Sequence, residues 1–403
     1  MTTHWSYAVL LLGLIGGGAA GRPPVRPGLE VLLTDRIQLV AGQRVGLVTN
    51  HAGVDRSGVH AIERLRNAGV RVTALFSPEH GFRAIADPGE SVASSVDSAT
   101  GLSIYSLYGQ TSSPTPEMLE GVDLLVIDLP DVGARYYTYI STTIAVMRAA
   151  AAAGKSVIVL DRPNPIGGGV QGPVLDPAFR SFVGSLEVPI RHGMTLGEQA
   201  RLANAELGIG ARLTVVEAAG WRRKDDATVT GLPFLAPSPN LQNLESLFHY
   251  PGTCLFEGTA LSVGRGTDAA FRQIGAPWLD TTRVLAKARW AKLKGVRFES
   301  VAFTPVRPGD GKHADVLLAG IRFVMTDHRT YDPIRTALVL LEAVVAVHPD
   351  QVGFIPASFD RLAGGSTLRA DLVAQRPVPA ILASWQPQLE AFHRRSRPFL
   401  LYR

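Results

Sequence analysis

Apolar positions along the chain follow two rhythms. Residues 44–50, 70–76, 124–128 and 156–161 are short runs, apolar almost throughout and bounded by polar or turn-forming residues. A strand reads this way when both of its faces are buried. Between these runs the spacing shifts to the three- and four-residue interval of a helix, with Ile62 and Leu65 inside 58–68 and an alanine-rich stretch at 140–153. Continuous apolar strands alternating with helices predict a parallel sheet covered on both faces, a doubly wound α/β domain. The pattern continues with a helix at 194–206 and a strand at 213–216. Thr195, followed three residues later by Glu198, is a capping-box pair for that helix. Proline and asparagine then concentrate in 231–250, which reads as a crossing between domains. Beyond it the order changes: strands are expected at 296–306 and 319–326, and amphipathic helices at 332–348 and 381–394, an α+β arrangement.

A length of 403 residues exceeds what one core usually holds, so two domains are expected. Hydrophobic residues at 46% and charged residues at 19% are a globular composition. The net charge of +5 comes from scattered arginines, with no basic run interleaved with aromatics. No nucleic-acid partner is therefore expected, and an anionic small substrate or wall polymer suits the charge. Cys254, the single cysteine, excludes an internal disulfide and a cysteine metal cluster; its apolar neighbours Leu255 and Phe256 point to a buried thiol. At the N-terminus, residues 7–15 are apolar and residues 16–21 are small. The run is too short to span a bilayer well, and small residues after it suit signal-peptidase cleavage near Ala20. A signal peptide over 1–21 is expected, without the usual basic start, and the protein is read as exported, periplasmic or extracellular. No stable membrane span is expected.

In a doubly wound sheet, ligands bind outside the carboxyl ends of the strands. Four expected strand ends are polar. They carry Asn50-His51, then Glu79-His80 with Arg83, then Asp128, Asp131, Arg135, Tyr136 and Tyr137, and finally Asp161-Arg162-Pro163-Asn164. Glu79 follows an apolar strand at a proline-shaped turn, a partly desolvated position that suits a carboxyl group for general acid work; the alternative is a cap or a partner of Arg83. His80 is either an orienting group or a structural histidine. Asp128 and Asp131 each offer the second carboxylate that glycoside cleavage commonly needs, or a tie to loop amides. Arg135 with Tyr136 and Tyr137 offers a carboxylate clamp beside a sugar-stacking face, or ordinary packing. Arg162 and Asn164 sit in a loop stiffened by two prolines. Glu257 and Arg265 lie past the crossing and are placed to close the crevice from the second domain. No GxxxxGK[ST] occurs and no G-x-G-x-x-G follows the first strand, so no nucleotide is expected. His51, His80 and His192 lack metal-ligand spacing, and neither metal nor other cofactor is expected.

Several longer motifs carry a specific likeness: Thr49-Asn50-His51-Ala52-Gly53, Ser77-Pro78-Glu79-His80-Gly81, Asp131-Val132-Gly133-Ala134-Arg135-Tyr136-Tyr137, Arg191-His192-Gly193-Met194-Thr195, Pro237-Ser238-Pro239-Asn240, Phe256-Glu257-Gly258-Thr259 and Gly264-Arg265-Gly266-Thr267. Through them the chain resembles the exo-β-N-acetylmuramidase family, NamZ-type glycoside hydrolases, from about Gly28 to its end. The resemblance implies a Rossmann-like domain over 28–248 and a smaller α+β domain over 249–403, with the active site in the cleft between them. It implies release of terminal non-reducing N-acetylmuramic acid from peptidoglycan fragments, and it places the catalytic glutamate at Glu79. His80, Asp128 and Asp131 are its expected companions. Substrate contacts are expected from Asn50, His51, Arg83, Arg135, Tyr136, Tyr137, Arg162, Asn164, His192, Glu257 and Arg265. Arg83, Arg135 or Arg265 would take the lactyl carboxylate. The chain departs from the family at Pro130, where glutamine is usual, at Gly168 and Gln171, where asparagine and glutamate are expected, and at Asp268, where proline is usual. A non-catalytic, exported muropeptide-binding protein is the alternative reading of the same cleft.

Overall fold

The computed structural model describes residues 24–87 and 89–403. The expected signal segment, 1–21, lies outside these residues. The central sheet is built from β1 (Arg44–Thr49), β2 (Arg71–Ser77), β3 (Ser95–Val96), β4 (Ser103–Ser106), β5 (Leu124–Asp128) and β6 (Ser156–Leu160). After a separate antiparallel pair, β7 (Gln171–Val174) and β8 (Pro189–Arg191), β9 (Arg212–Val216) completes it. Its order is β3-β4-β2-β1-β5-β6-β9, and every pairing is parallel except that of β3 with β4. The parallel part has the Rossmann strand order, which reverses between β1 and β5 and opens a crevice at their carboxyl ends.

The continuous apolar runs are explained by two cores, one on each face. Val45, Leu47, Leu124 and Val126 face Leu29 and Leu32 of the helix Gly28–Asp35 and Ile62 and Leu65 of the helix Ala61–Asn67. Val48, Leu125 and Ile127 face Ile140, Ile144 and Met147 of the helix Tyr139–Ala152 and Ala200 and Ala203 of the helix Leu196–Glu206. Burying each such aliphatic side chain contributes about 1.5–3 kcal/mol, which holds the strand ends rigid enough to position a site. The expected capping box of Thr195 and Glu198 is present.

The second domain carries the antiparallel strands β10 (Gln273–Ala276), β11 (Val296–Phe303) and β12 (Leu318–Met325), in the order β10-β12-β11. The helix Pro333–Val347 buries Leu338 and Leu341 and packs against the helix Leu244–Thr253. One continuous apolar core joins the domains, running from Ile140 and Met147 to Ile321, Leu338 and Phe359. Two expectations need correction. The crossing at 231–250 becomes helical at Leu244, because Asn243 and Ser246 form a capping box there. The helix expected at 381–394 is two, Val378–Ser384 and Gln386–Ser396, because Pro387 lacks the N–H that would continue the first. Among the described residues no helix is long and apolar enough to cross a membrane.

Candidate active site

Glu79 leaves β2 through a turn in which His80 and Gly81 both adopt left-handed backbone, at φ 70 and 76. For histidine that conformation costs roughly 1–2 kcal/mol. A bond of 2.8 Å between His80 Nδ1 and the Ala86 carbonyl helps to hold the turn. The carboxyl group it presents is 7% exposed and firmly held. Oε1 accepts from the Gly89 amide at 3.1 Å and Oε2 from the Thr138 hydroxyl at 2.5 Å. Tyr108 also hydrogen-bonds to Glu79, and its phenol is pushed up to about 12 by burial and then by the Glu79 charge. Burial presses the His80 imidazole down, while Glu79 opposes the shift.

Glu79 opens onto a cavity whose far wall comes from the second domain. Glu257 sits on the short helical turn Cys254–Gly258, and Arg265 on the loop beyond it. Arg265 Nε meets Glu257 Oε1 at 2.5 Å, and its guanidinium lies over the Phe271 ring at 5.0 Å. Burial opposes the Arg265 charge, but Glu257 more than offsets it and the net shift is upward. Among the described residues, Arg265 Nη1 is buried without a hydrogen-bond partner, so the guanidinium is a fixed cation whose bonding is incomplete. The Tyr136 and Tyr137 rings line the same cavity. Their hydroxyls are already engaged, Tyr136 with the Pro251 carbonyl and Tyr137 with the Pro237 carbonyl at 2.9 Å, so the rings offer faces and not donors. A buried carboxyl group, a carboxylate–guanidinium pair and aromatic faces around one cavity make a site for an anionic sugar.

The comparisons with known proteins agree with that geometry. The N-terminal model of the family described as Exo-beta-N-acetylmuramidase NamZ matches residues 45–245, and its C-terminal model matches residues 248–402. The chain belongs to the exo-β-N-acetylmuramidase NamZ family. It is 42% identical over 386 residues to the peptidoglycan beta-N-acetylmuramidase NamZ of Bacillus subtilis (strain 168), covering 95% of this chain and 92% of that protein. Two crystal structures of DUF1343 family proteins from Bacteroides fragilis share the fold. One has a TM-score of 0.86 at 33% identity, covering 94% of this chain and 99% of the other. The second has a TM-score of 0.76 at 30% identity with the same coverage of both chains.

Within this member of the NamZ family, several residues expected to touch substrate are internal struts. Asp128 is fully buried, with its two carboxylate oxygens held by Arg162 at 2.7 and 2.9 Å. It does not line the Glu79 cavity, so it is a loop anchor, and Arg162 is its partner. Arg135 is also buried, and burial lowers its pKa to about 10. It donates to the carbonyls of Pro173, Val188 and Leu362, pinning the second domain to the first, and it is not placed to clamp a lactyl carboxylate. Asn50 bridges the Tyr139 hydroxyl and the Ala52 amide, and Asn164 bridges the Met194 carbonyl and the Ile166 amide; both are completely buried.

Asp131 accepts from the Val132 and Gly133 amides and from Gln199, with His192 Nε2 at 3.7 Å. It lines a separate, largely apolar recess with Arg162, Pro130 and Pro237. The buried His192 imidazole is pressed down by burial, with Asp131 opposing. His51 is half-buried, its imidazole likewise lowered by burial, and Arg83 is exposed; neither lines the Glu79 cavity. Of the expected set, Glu79, His80, Tyr136, Tyr137, Glu257 and Arg265 come together.

Sequence reasoning missed Thr138 and Tyr108, the two side chains that hold Glu79. Thr138 stands between Tyr137 and Tyr139, in an aromatic run that draws attention to its neighbours. Tyr108 follows β4, a four-residue strand too short to declare a period. Cys254 is buried as expected, and burial pushes its thiol well up.

Proposed function

We propose that the chain is an exo-acting glycoside hydrolase that releases terminal non-reducing N-acetylmuramic acid from peptidoglycan fragments such as the MurNAc-GlcNAc disaccharide, in cell-wall turnover and recycling. The observation that carries this reading is the shared cavity of Glu79 and Arg265, contributed by the two domains and found in a chain of the NamZ family. Arg265, held by Glu257 at the wall of the cavity, takes the lactyl carboxylate that distinguishes muramic acid from other amino sugars. The Tyr136 and Tyr137 faces carry the ring. In its protonated form Glu79 gives its proton to the glycosidic oxygen as the bond to the anomeric carbon breaks. Thr138, Tyr108 and the Gly89 amide stabilise the carboxylate that remains. Glu257 is the second carboxyl group in the cavity and faces the positive charge that develops on the sugar ring; water then forms the new bond to the anomeric carbon, and the proton it releases returns to the carboxyl pair, so that Glu79 is protonated again. Incubation with the disaccharide tests the assignment: free N-acetylmuramic acid is expected, and intact disaccharide with bound protein would identify a binding protein.

Export is part of the same proposal and rests on the apolar run 7–15 and the small residues after it. Secreted material is expected to begin near Gly21 on N-terminal sequencing; material retaining Met1 would overturn export by cleavage.

A further inference from the structure

A second cavity opens beside the turn at residues 167–169, the segment 222–226 and the rings of Phe248 and Tyr331. It is distinct from the Glu79 cavity: the helix Leu244–Thr253 turns Phe248 toward one and Tyr250 toward the other. Its side chains are lopsided in charge. Arg191, Arg222, Arg223, Lys224, Arg329 and Arg403 line it, against one acidic side chain, Asp226, which is paired with His328 at 3.1 Å. Glu198 occupies Arg223, and Asp327 lies beside Arg329. Among the described residues, Arg191, Arg222 and Lys224 have no ion-pair partner.

Arg191 is the unusual member. Its guanidinium donates to Gln171 Oε1 at 3.2 Å and to the Ile166 carbonyl, both neutral acceptors, and among the described residues its Nε has no partner. Burial presses its pKa down, with Asp332 and Asp226 opposing. The glycines make the room. A Cβ on Gly169 would stand 2.7 Å from the Arg191 guanidinium carbon, and one on Gly168 would stand 2.1 Å from Arg223 Cγ. A guanidinium taken out of water with carboxylates near it but none in direct contact loses solvation that a bound anion restores.

We propose that this cavity is a binding site for a phosphate-bearing small molecule, a sugar phosphate or phosphate itself, with Arg191 and Arg222 on the oxyanion and Lys224 at the rim. A carboxylate is satisfied by one guanidinium fork, whereas a phosphate dianion presents oxygens on several sides and matches three unpaired cations better. Phe248 and Tyr331 supply ring faces for the rest of the molecule.

Calorimetric titration of the full protein tests this, with inorganic phosphate, glucose 6-phosphate and malonate as probes at constant ionic strength. Saturable binding of either phosphate compound is expected, weakened about tenfold or more in Arg191→Gln. The exposed rim double variant Arg222→Gln/Lys224→Gln is expected to weaken it similarly while leaving hydrolysis without phosphate unchanged. Tighter binding of glucose 6-phosphate would identify a sugar phosphate, and equal binding phosphate alone. No saturable heat, tighter binding of malonate, or binding that the rim variant leaves unchanged would overturn the proposal.

Discussion

The hydroxyl of Thr138 donates to Oε2 of Glu79 at 2.5 Å, tying the loop after β5 to the loop after β2. β1 lies between those strands in the sheet, so the bond spans the crevice where the strand order reverses. The carboxyl group is thus fixed by the architecture of the sheet, and not by one flexible loop.

Removing that hydroxyl tests its contribution. A hydrogen bond to a charged group is worth about 1.5–3 kcal/mol, so Thr138→Val is expected to lower kcat about ten- to hundredfold. Thr138→Ser should recover most of the rate. Steady-state kinetics on the MurNAc-GlcNAc disaccharide, whose leaving alcohol needs the Glu79 proton, with circular dichroism as a check on folding, measures both; a silent Thr138→Val would remove the residue from the account.

Arg265 makes a different prediction, on selectivity. Arg265→Lys keeps a charge but loses the planar fork, and kcat/KM on a muramic acid glycoside is expected to fall about tenfold or more. The matching N-acetylglucosamine glycoside lacks the lactyl carboxylate, and its rate should change much less. Equal losses on both would show that Arg265 organises the cavity without reading the lactyl group.

Arg135 belongs to stability. Its three bonds go to the carbonyls of Pro173, Val188 and Leu362, and each buried carbonyl left unpaired costs about 1–3 kcal/mol. Arg135→Met is expected to lower Tm by several degrees, while the folded fraction keeps its KM. Thermal denaturation with kinetics below the transition separates this from a substrate contact, which would raise KM and spare Tm.

The pH dependence of stability follows from buried histidines. Burial holds His51, His80, His192 and His249 below their ordinary range. As pH falls below about 6.5, the unfolded chain protonates them before the folded one does, so their contribution to stability declines from there down to the folded values. Asp161, raised to about 6 by burial, acts with the opposite sign between its unfolded value and about 6, as do Asp332 and Glu206, also raised by burial; the four histidines outnumber them, and Glu245, held at about 2 chiefly by its bond to His249, adds to the loss at acid pH. Denaturant melts are expected to give lower stability at about pH 5.5 than at about 7.5, and His249→Gln should flatten the difference. Equal stability at both pH values would contradict this.

What could be read from the residues follows from what each signal encodes. The central sheet was legible because strands buried on both faces leave unbroken apolar runs, as in 44–49 and 124–128. β3, with two residues, and β4, with four, leave no such mark. The site was legible in part for a related reason. Residue type and position at a strand end brought out Glu79 and, equally, Asp128, Asn50 and Arg135. Which of them turn toward solvent and which satisfy one another is decided by partners far along the chain. Arg162 stands 34 residues from Asp128, and Leu362 stands 227 from Arg135. Polar strand ends in a buried sheet must also anchor their own loops, and those anchors resemble ligand contacts until the partners are seen.

The central claim is that Glu79 supplies the proton to the leaving group, and leaving-group dependence tests it most directly. With folding verified, Glu79→Gln is expected to lose roughly a thousandfold in kcat on the natural disaccharide, whose leaving alcohol needs protonation. The loss should shrink markedly on a nitrophenyl glycoside, whose leaving group departs without a proton. A Glu79→Gln protein that hydrolysed the disaccharide at near wild-type rate, or that lost the same factor on both substrates, would contradict the assignment.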